Sequence, residues 1–180
     1  EKENENLRTK IIESESRIIN YNSILAENTT LKQILNRKTE DRDMVLSAIL
    51  SKPNQSVYDT LIIDVGTNRD IKVGDDVFAF GDIPIGKIGE VYLNSAKVVL
   101  FSTAGEKTAG VVGSNNIFTE VVGRGGGNFE MIMPRDFALS KGDQVVLPGI
   151  MPYVLGIVET IISDPRDPFI KALLVSPVNI

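Results

Sequence analysis

The chain contains two similar short segments, Ile71-Lys72-Val73-Gly74-Asp75-Asp76-Val77 and Leu139-Ser140-Lys141-Gly142-Asp143-Gln144-Val145. The two copies are offset by 68 residues, from Gly74 to Gly142, and at the same offset Gly81 matches Gly149 and Pro84 matches Pro152. Glycine permits positive φ and aspartate can hydrogen-bond its own turn backbone, so each copy predicts a tight turn leading into a strand. Five identical positions at one offset indicate an internal duplication, and therefore two related β subdomains.

Short β-rich runs bounded by Gly, Asn and Asp fill the chain after Tyr58. The predicted strands are Asp59–Asp64, Asp76–Phe80, Ile85–Tyr92, Lys97–Phe101, Thr108–Val112, Phe118–Val122, Glu130–Met133, Gln144–Leu147, Val154–Ser163 and Ile170–Val175. Nothing between them has a long helical period, which argues against a βαβ architecture. We predict an all-β region of two small β-barrel subdomains, residues 54–115 and 116–180, with strands able to cross between them.

Residues 1–43 differ from the rest because they contain no Gly and no Pro. Their apolar residues recur at alternating steps of four and three, which is the heptad spacing of a coiled coil. We call this line of apolar residues the seam. Beyond Leu25 it has two possible continuations, an unbroken heptad through Lys32 or a path through Leu31. The path through Leu31 keeps Lys32 in water but requires one slip in the heptad phase. The predicted self-association residues are Leu7, Ile11, Ile18, Tyr21, Leu25, Leu31 and Leu35.

The predicted helix is too long to pack on its own domain. About 40 residues at about 1.5 Å each exceed 50 Å, whereas a domain of about 130 residues has a radius of gyration of about 14 Å. The seam therefore needs a second chain, and isoleucine at two of the three a positions favours a parallel dimer. We take residues 44–53 as a linker, in which residues 44–51 could continue the helix or begin a strand.

Composition excludes several classes of function. The chain has no His and no Cys, so it cannot form a Ser-His-Asp triad, a thiolate nucleophile or a Cys/His metal site. Its net charge of -5 and the absence of a basic stripe argue against nucleic-acid binding. The glycine-rich run 124–128 lacks the Lys-Ser/Thr of a phosphate-binding loop and is interpreted as a flexible hairpin or a connection between subdomains. We expect no catalytic residues, no cofactor and no metal.

Two apolar turns are candidates for a partner-binding rim. One contains Ile83 and Ile85, and the other contains Met151, Tyr153 and Val154. By the 68-residue offset, Ile83 and Ile85 are equivalent to Met151 and Tyr153. Burial in the core is the alternative, because only exposed clusters of apolar residues mark an interaction site.

In order and spacing, these features resemble the extracytoplasmic part of the rod-shape-determining protein MreC family. The similar segments are Leu25-Ala-Glu-Asn28-Thr-Thr-Leu31-Lys-Gln-Ile-Leu35, Thr60-Leu-Ile-Ile-Asp-Val-Gly66, Val73-Gly74-Asp75-Asp-Val77, Ile85-Gly86-Lys-Ile-Gly-Glu-Val91, Val98-Val-Leu-Phe-Ser102, Leu139-Ser-Lys-Gly142-Asp143-Gln-Val-Val146 and Val175-Ser-Pro177. The chain departs from the family at Leu147-Pro148-Gly149, where Thr-Ser-Gly is frequent, and at residues 151–155.

The resemblance implies a non-enzymatic cell-shape scaffold on the extracytoplasmic face of the bacterial cytoplasmic membrane, held by a single-pass anchor expected upstream of residue 1. It implies self-association and binding to a penicillin-binding transpeptidase, with MreD and MreB in the same cell-wall elongation machinery. No stretch approaches the roughly 20 apolar residues that span a bilayer. The alternative is a periplasmic adaptor subunit of a transport system, which usually inserts a helical hairpin into its β region.

Overall fold

The computed structural model describes residues 2–34, 43–52, 59–113, 116–149 and 151–178. The chain divides into two compact units, Glu1–Met44 and Val45–Ile180. The first unit contains the helix α1 (Lys2–Ile34). The second contains no α-helix among its described residues, only one 3₁₀ turn, Thr67–Arg69.

The first β subdomain is a five-stranded antiparallel sheet with the order β1-β2-β5-β4-β3. Its strands are β1 (Ile49–Ser51), β2 (Thr60–Ile63), β3 (Asp76–Ala79), β4 (Ile83–Val91) and β5 (Ala96–Leu100). Alternate residues of β2, β4 and β5 point inward, as the two-residue period of a strand requires, and form one core. Its buried residues are Leu61, Ile63, Val65, Ile88, Ala96, Val98 and Leu100.

The second β subdomain is a closed six-stranded barrel with the order β10-β11-β8-β7-β6-β9. Its strands are β6 (Lys107–Val112), β7 (Ile117–Gly125), β8 (Asn128–Pro134), β9 (Gln144–Val146), β10 (Val154–Ser163) and β11 (Phe169–Val175). The strand β6 precedes residue 116 yet pairs with β7 and β9. The barrel therefore includes a strand from before residue 116.

The two copies of the repeat share their strand order and individual hydrogen bonds. The order β2-β5-β4-β3 recurs as β8-β11-β10-β9. In the first copy Asp75 Oδ2 accepts the Lys72 N–H at 2.8 Å, and in the second copy Asp143 Oδ2 accepts the Ser140 N–H at 2.8 Å. The intervening glycine has φ 94° in both copies, a conformation that disfavours any side chain.

The constant offset predicted from the sequence is wrong beyond this turn. Val77 pairs with Gly86 in the first copy, whereas Val145 pairs with Gly156 in the second, so the later hairpin is two residues longer. Ile83 is therefore equivalent to Tyr153, and Ile85 to Leu155. Matching Pro84 with Pro152 was likewise wrong, because a longer loop shifts every later residue of the strand.

All ten predicted strands are present with small differences at their ends, and the predicted fold class, a helix followed by all-β structure, is confirmed. The undecided segment 44–51 ends in the short strand β1. Closure of one subdomain and not the other was not foreseeable from the repeat, because β6, which pairs with both β7 and β9 and closes the barrel, has no counterpart in the first sheet.

Candidate partner-binding surfaces

The seam of α1 is an exposed apolar stripe within its own unit. Six of the seven predicted self-association residues are described, and each is at least half exposed: Leu7, Ile11, Ile18, Tyr21, Leu25 and Leu31. Leu35 lies outside the described residues. Apolar residues off the seam are equally exposed on this single helix, Ile12 and Ile19 among them, and dimerisation through the seam stays a prediction.

A polar junction joins the two β subdomains, and its centre is Asp59. One carboxylate oxygen of Asp59 accepts hydrogen bonds from Ser102 Oγ at 2.9 Å and from the Gly126 N–H at 2.5 Å. The Asp59 carbonyl accepts the Thr103 hydroxyl at 2.9 Å. Ser102 and Thr103 are the two buried polar residues among the described ones, and a buried hydroxyl without a partner is costly. Asp59 satisfies both.

The glycine-rich run belongs to this junction. Gly126 and Gly127 form the turn between β7 and β8, with φ 61° and 77°. The Gly127 carbonyl accepts the Ser176 N–H at 2.7 Å, and the Gly126 N–H bonds Asp59. The turn is therefore a hairpin within the barrel, and the Gly126 N–H bonds the first subdomain rather than a phosphate.

Close packing at the junction explains one further glycine. A Cβ on Gly123 would lie 2.2 Å from the Thr103 carbonyl oxygen and 2.7 Å from that of Phe101. The chain from the first subdomain crosses β7 at this point and inserts Phe101 into the core of the barrel. The two subdomains thus share a continuous contact of backbone and side chains.

The five residues of the predicted rim are half-buried, and none is fully exposed: Ile83, Ile85, Met151, Tyr153 and Val154. Tyr153 rests against Phe78 of β3, with ring centroids 4.9 Å apart and an interplanar angle of 59°. This tilted contact joins the loop before β10 to the first subdomain. Ile85 packs against the core of the first sheet and also lines a cleft between the subdomains.

The cleft is small, with a cavity volume of about 70 Å³. Its apolar wall includes Leu61, Pro84 and Phe129, and its polar wall includes Asp59 and Ser176. The Asp59 carboxylate is already engaged at the junction, so the cleft offers mainly an apolar surface to a partner.

Sequence reasoning missed Phe80, the most conspicuous side chain of the rim region. It lies at the tip of the β3–β4 hairpin, is 88% exposed and has φ 53°. A bulky residue in this region of φ is strained by roughly 1–2 kcal/mol. The signal was available, since a large apolar residue immediately precedes the turn residues Gly81-Asp82.

A second exposed apolar area covers the outer face of the barrel. It consists of Phe118, Ile132, Ile162 and Phe169, each at least half exposed. Their strands are neighbours: Ile132 and Ile162 both lie opposite Lys171, and Phe169 lies opposite Pro134. Alternation of polar and apolar residues along these strands did not predict this area.

Three ionisable side chains of the first subdomain form one hydrogen-bonded cluster. The Tyr92 hydroxyl and Lys97 Nζ both bond the Glu90 carboxylate, at 2.7 and 3.0 Å. The bond from Tyr92, followed by that from Lys97, lowers the pKa of Glu90, and the same carboxylate raises the pKa of Tyr92 and of Lys97. Glu90 and Tyr92 are exposed and Lys97 is half-buried, and Glu90 faces Lys97 across β4 and β5, which is the geometry of a strand-pairing contact.

Within the described parts of the chain, acidic side chains nowhere gather in threes as metal ligands do. Over the same residues, no helix combines the length and the apolar content needed to cross a bilayer.

Comparison with solved structures gives three informative matches. MreC of Listeria monocytogenes has 23% sequence identity and a TM-score of 0.75, covering 98% of this chain and 90% of that one. MreC of Pseudomonas aeruginosa has 22% identity and a TM-score of 0.68, covering 73% and 89%. A complex between penicillin-binding protein PBP2 and MreC from Helicobacter pylori matches with 11% identity and a TM-score of 0.54, covering 74% and 86%. At these identities the likeness establishes the fold.

No curated protein sequence matches the chain significantly. The family model described as "Rod shape-determining protein MreC, barrel core" matches residues 49–179, which span the whole β region from β1 to the end of β11 and beyond. The match covers well over half of the chain and agrees with the duplicated strands and their order. The chain therefore belongs to the MreC family of rod shape-determining proteins.

Proposed function

We propose that this chain is a non-enzymatic scaffold that self-associates through α1 and holds a penicillin-binding transpeptidase against its β subdomains. The observation that carries the proposal is the family match over the β region. The solved complex of PBP2 with a structurally similar MreC supports the choice of partner. The absence of His and Cys from the sequence supports a role without chemistry.

Self-association is supported by the seam of α1. Its apolar residues keep heptad spacing and are at least half exposed on the single helix, so pairing two helices would remove them from water. A pair of chains would also bring two β regions into one assembly. This arrangement suits a scaffold that presents two binding surfaces to one membrane-bound machinery.

The transpeptidase-binding surface that we propose is the rim of Ile83, Ile85, Met151, Tyr153 and Val154, extended by Phe80. The half-buried residues are held by the fold, as Tyr153 is by Phe78, and Phe80 projects beside them on the hairpin that ends at Ile83. A rigid base with one projecting aromatic anchor is typical of a binding hot spot.

Position in the cell follows from the same proposal. We propose an extracytoplasmic location, a membrane anchor preceding residue 1, and coupling to MreD and MreB. The adaptor alternative has no support, because the described residues after α1 contain no second α-helix.

Binding of the whole chain to purified transpeptidase tests the function. We expect Tyr153→Ala to weaken binding by about thirtyfold, as the loss of an aromatic anchor worth about 2 kcal/mol does. Because Tyr153→Ala also removes the ring contact with Phe78, affinity is measured at a temperature at which the variant is fully folded. A wild-type chain that binds no transpeptidase at about 100 μM, weaker than about −5.5 kcal/mol, would contradict the proposal.

A further inference from the structure

The outer face of the barrel carries apolar residues where the first sheet carries charged ones. The repeat aligns the two subdomains: Leu61 opposite Val98 in the first sheet corresponds to Phe129 opposite Leu174 in the barrel, and all four residues are buried. Along the strands from these pairs, three outward charged residues are replaced by apolar ones, which are Asp64 by Ile132, Lys97 by Leu173 and Lys87 by Ile157. At these positions the barrel presents an apolar surface that the first subdomain lacks.

This surface, here called the barrel face, is the outward side of β7, β8, β11 and β10. Its large exposed residues are Phe118, Ile132, Ile162 and Phe169, which are 74%, 56%, 52% and 50% exposed. Contiguous apolar areas on the surface of a soluble protein usually mark an interaction site. The barrel face is therefore expected to be covered by a partner.

Glu130 is a charged residue within the barrel face, at the position where the first sheet has Ile62. Its side chain is only 17% exposed, and its carboxylate pairs with Arg124 Nη1 and with Lys171 Nζ, the latter at 3.5 Å. A carboxylate that is already paired within its own chain is less costly to remove from water than an unpaired one. The barrel face can therefore be covered without leaving this charge buried and unpaired.

The middle row of the barrel face carries opposite charges on its two sides. Ile132 of β8 lies opposite Lys171 of β11. On the other side of β8, Val121 of β7 lies opposite Met131, so Glu120 is the outward neighbour of Ile132 there. Neighbouring strands are about 4.8 Å apart, so Glu120 and Lys171 lie at similar distances from Ile132.

The next row has a similar arrangement with aromatic residues. Phe169 of β11 lies opposite Pro134 of β8, and Phe118 lies two residues before Glu120 on β7, on the other side of Pro134. Each row thus has an apolar residue on β8 at its centre. It is flanked by opposite charges in one row and by two phenylalanines in the other. A surface with this symmetry is complementary to a second copy of itself.

We propose that the barrel face packs against the barrel face of a second copy of this chain, about a two-fold axis that runs along β8 between the two faces. Rotation about this axis brings Ile132 opposite Ile132 of the other copy. It also brings Glu120 of each copy opposite Lys171 of the other, and Phe118 opposite Phe169. The two Glu130 side chains meet near the axis, each beneath the cations of its own chain. Complementary charge therefore favours a second copy as the occupant.

The size of the barrel face indicates a weak contact. Three strands about 4.8 Å apart, each contributing five residues at about 3.3 Å, give a footprint of roughly 250 Å². Stable interfaces bury about 800 Å² per partner. The contact is thus expected between copies at high local concentration and does not by itself hold two chains together. It uses only residues of the barrel, so its failure would leave the proposed function unchanged.

Cysteine-specific cross-linking of the whole chain tests the contact, because the sequence has no Cys. Packed sheets lie about 10 Å apart, so a bis-maleimide that spans about this distance replaces a direct disulfide. Ile132→Cys places the thiol at the proposed axis. Lys87→Cys places one on an exposed strand of the first sheet, as a control for chance collision. We expect Ile132→Cys chains to be joined at least about tenfold faster than Lys87→Cys chains.

Reversal of the two charges tests the geometry of the contact. In the Ile132→Cys chain, Glu120→Lys alone or Lys171→Glu alone places like charges opposite each other at two symmetric points, and each should slow cross-linking by about tenfold. The double change restores opposite charges across the axis, so the rate should return to within about twofold of the starting chain. Within one chain the double change restores nothing, because Glu120 pairs with Lys107 and Lys171 with Glu130.

Lys107→Ala is the matched control for these variants. It removes the partner of Glu120 within the same chain and leaves the row of Glu120, Ile132 and Lys171 intact, so the cross-linking rate should not change. Loss of the intrachain pair alone would slow Lys107→Ala and the double variant alike, which would contradict the proposed contact.

The remaining outcomes are equally decisive. Equal rates for Ile132→Cys and Lys87→Cys overturn the proposal, and so does a double variant that is as slow as the single ones. If the barrel face instead serves the transpeptidase, Ile162→Asp weakens binding to purified transpeptidase while Ile132→Cys cross-links no faster than Lys87→Cys. That result would assign the face to the transpeptidase and overturn the contact between copies.

Discussion

The backbone conformation of Phe80 lowers stability, while its exposed ring belongs to the proposed binding surface. Its backbone lies in the left-handed region, where asparagine is tolerated and phenylalanine is strained. We expect Phe80→Asn to raise the free energy of unfolding by about 1 kcal/mol through relief of strain, and to weaken transpeptidase binding through loss of the exposed ring. Denaturant unfolding and binding to purified transpeptidase measure the two effects.

Phe118→Asn is the matched control, because Phe118 is also exposed but lies within β7. Asparagine is unfavourable in a strand, so this variant should lower stability and leave binding unchanged. If Phe80→Asn destabilises the protein and leaves binding at the wild-type level, the hairpin tip is neither strained nor an anchor.

Asp59 is the residue on which the junction of the β subdomains depends. Asp59→Ala should lower the free energy of unfolding by about 1–3 kcal/mol, because the buried Ser102 hydroxyl loses its partner. The measurement is denaturant unfolding of Asp59→Ala, Ser102→Ala and the double variant. We expect Asp59→Ala to cost less when Ser102 is already alanine. Strict additivity would show that the bond between the two side chains contributes nothing.

At the scale of elements, α1 offers two adjacent isoleucines that distinguish the seam from the rest of the helix surface. Ile18 lies on the predicted seam and Ile19 beside it, and both are more than half exposed on the single helix. Ile18→Asp should weaken dimerisation by roughly 3–5 kcal/mol, because it buries an unpaired charge in the paired state. Ile19→Asp makes the same chemical change in water and should have little effect. Sedimentation equilibrium compares them, and equal losses would mean that the seam is assigned to the wrong face.

Local patterns in the sequence predicted the helix and the strands. The features that were not predicted depend on contacts between residues far apart in the chain. The turn at Gly74-Asp75 and the strand after it depend on neighbours within a few residues, so both copies were predicted correctly. The two extra residues of the β9–β10 loop have no local signal, and the equivalence of Ile83 with Tyr153 was therefore missed. The Asp59–Ser102 bond joins residues 43 positions apart, and neither local sequence indicates this contact.

At the scale of the whole molecule, the coil and the β region have separate tasks under the proposed function. The β region determines how tightly one chain binds the transpeptidase. The coil determines how many binding surfaces act together, and linking two surfaces can raise apparent affinity by about 10²–10⁴-fold without any new contact. A variant that separates the chains should therefore affect only binding that engages two surfaces at once.

Ile18→Asp provides this separation, with Ile19→Asp as its control. On a surface densely coated with transpeptidase, we expect Ile18→Asp to reduce apparent affinity by about 100-fold, because each chain then binds alone. In solution, where one chain meets one transpeptidase, its affinity should equal that of the wild type, because the rim and Phe80 belong to the other compact unit. An equal loss in both formats would show that α1 contributes directly to the binding surface. An unchanged affinity on the coated surface, with dimerisation abolished, would show that pairing of chains is not what the scaffold contributes.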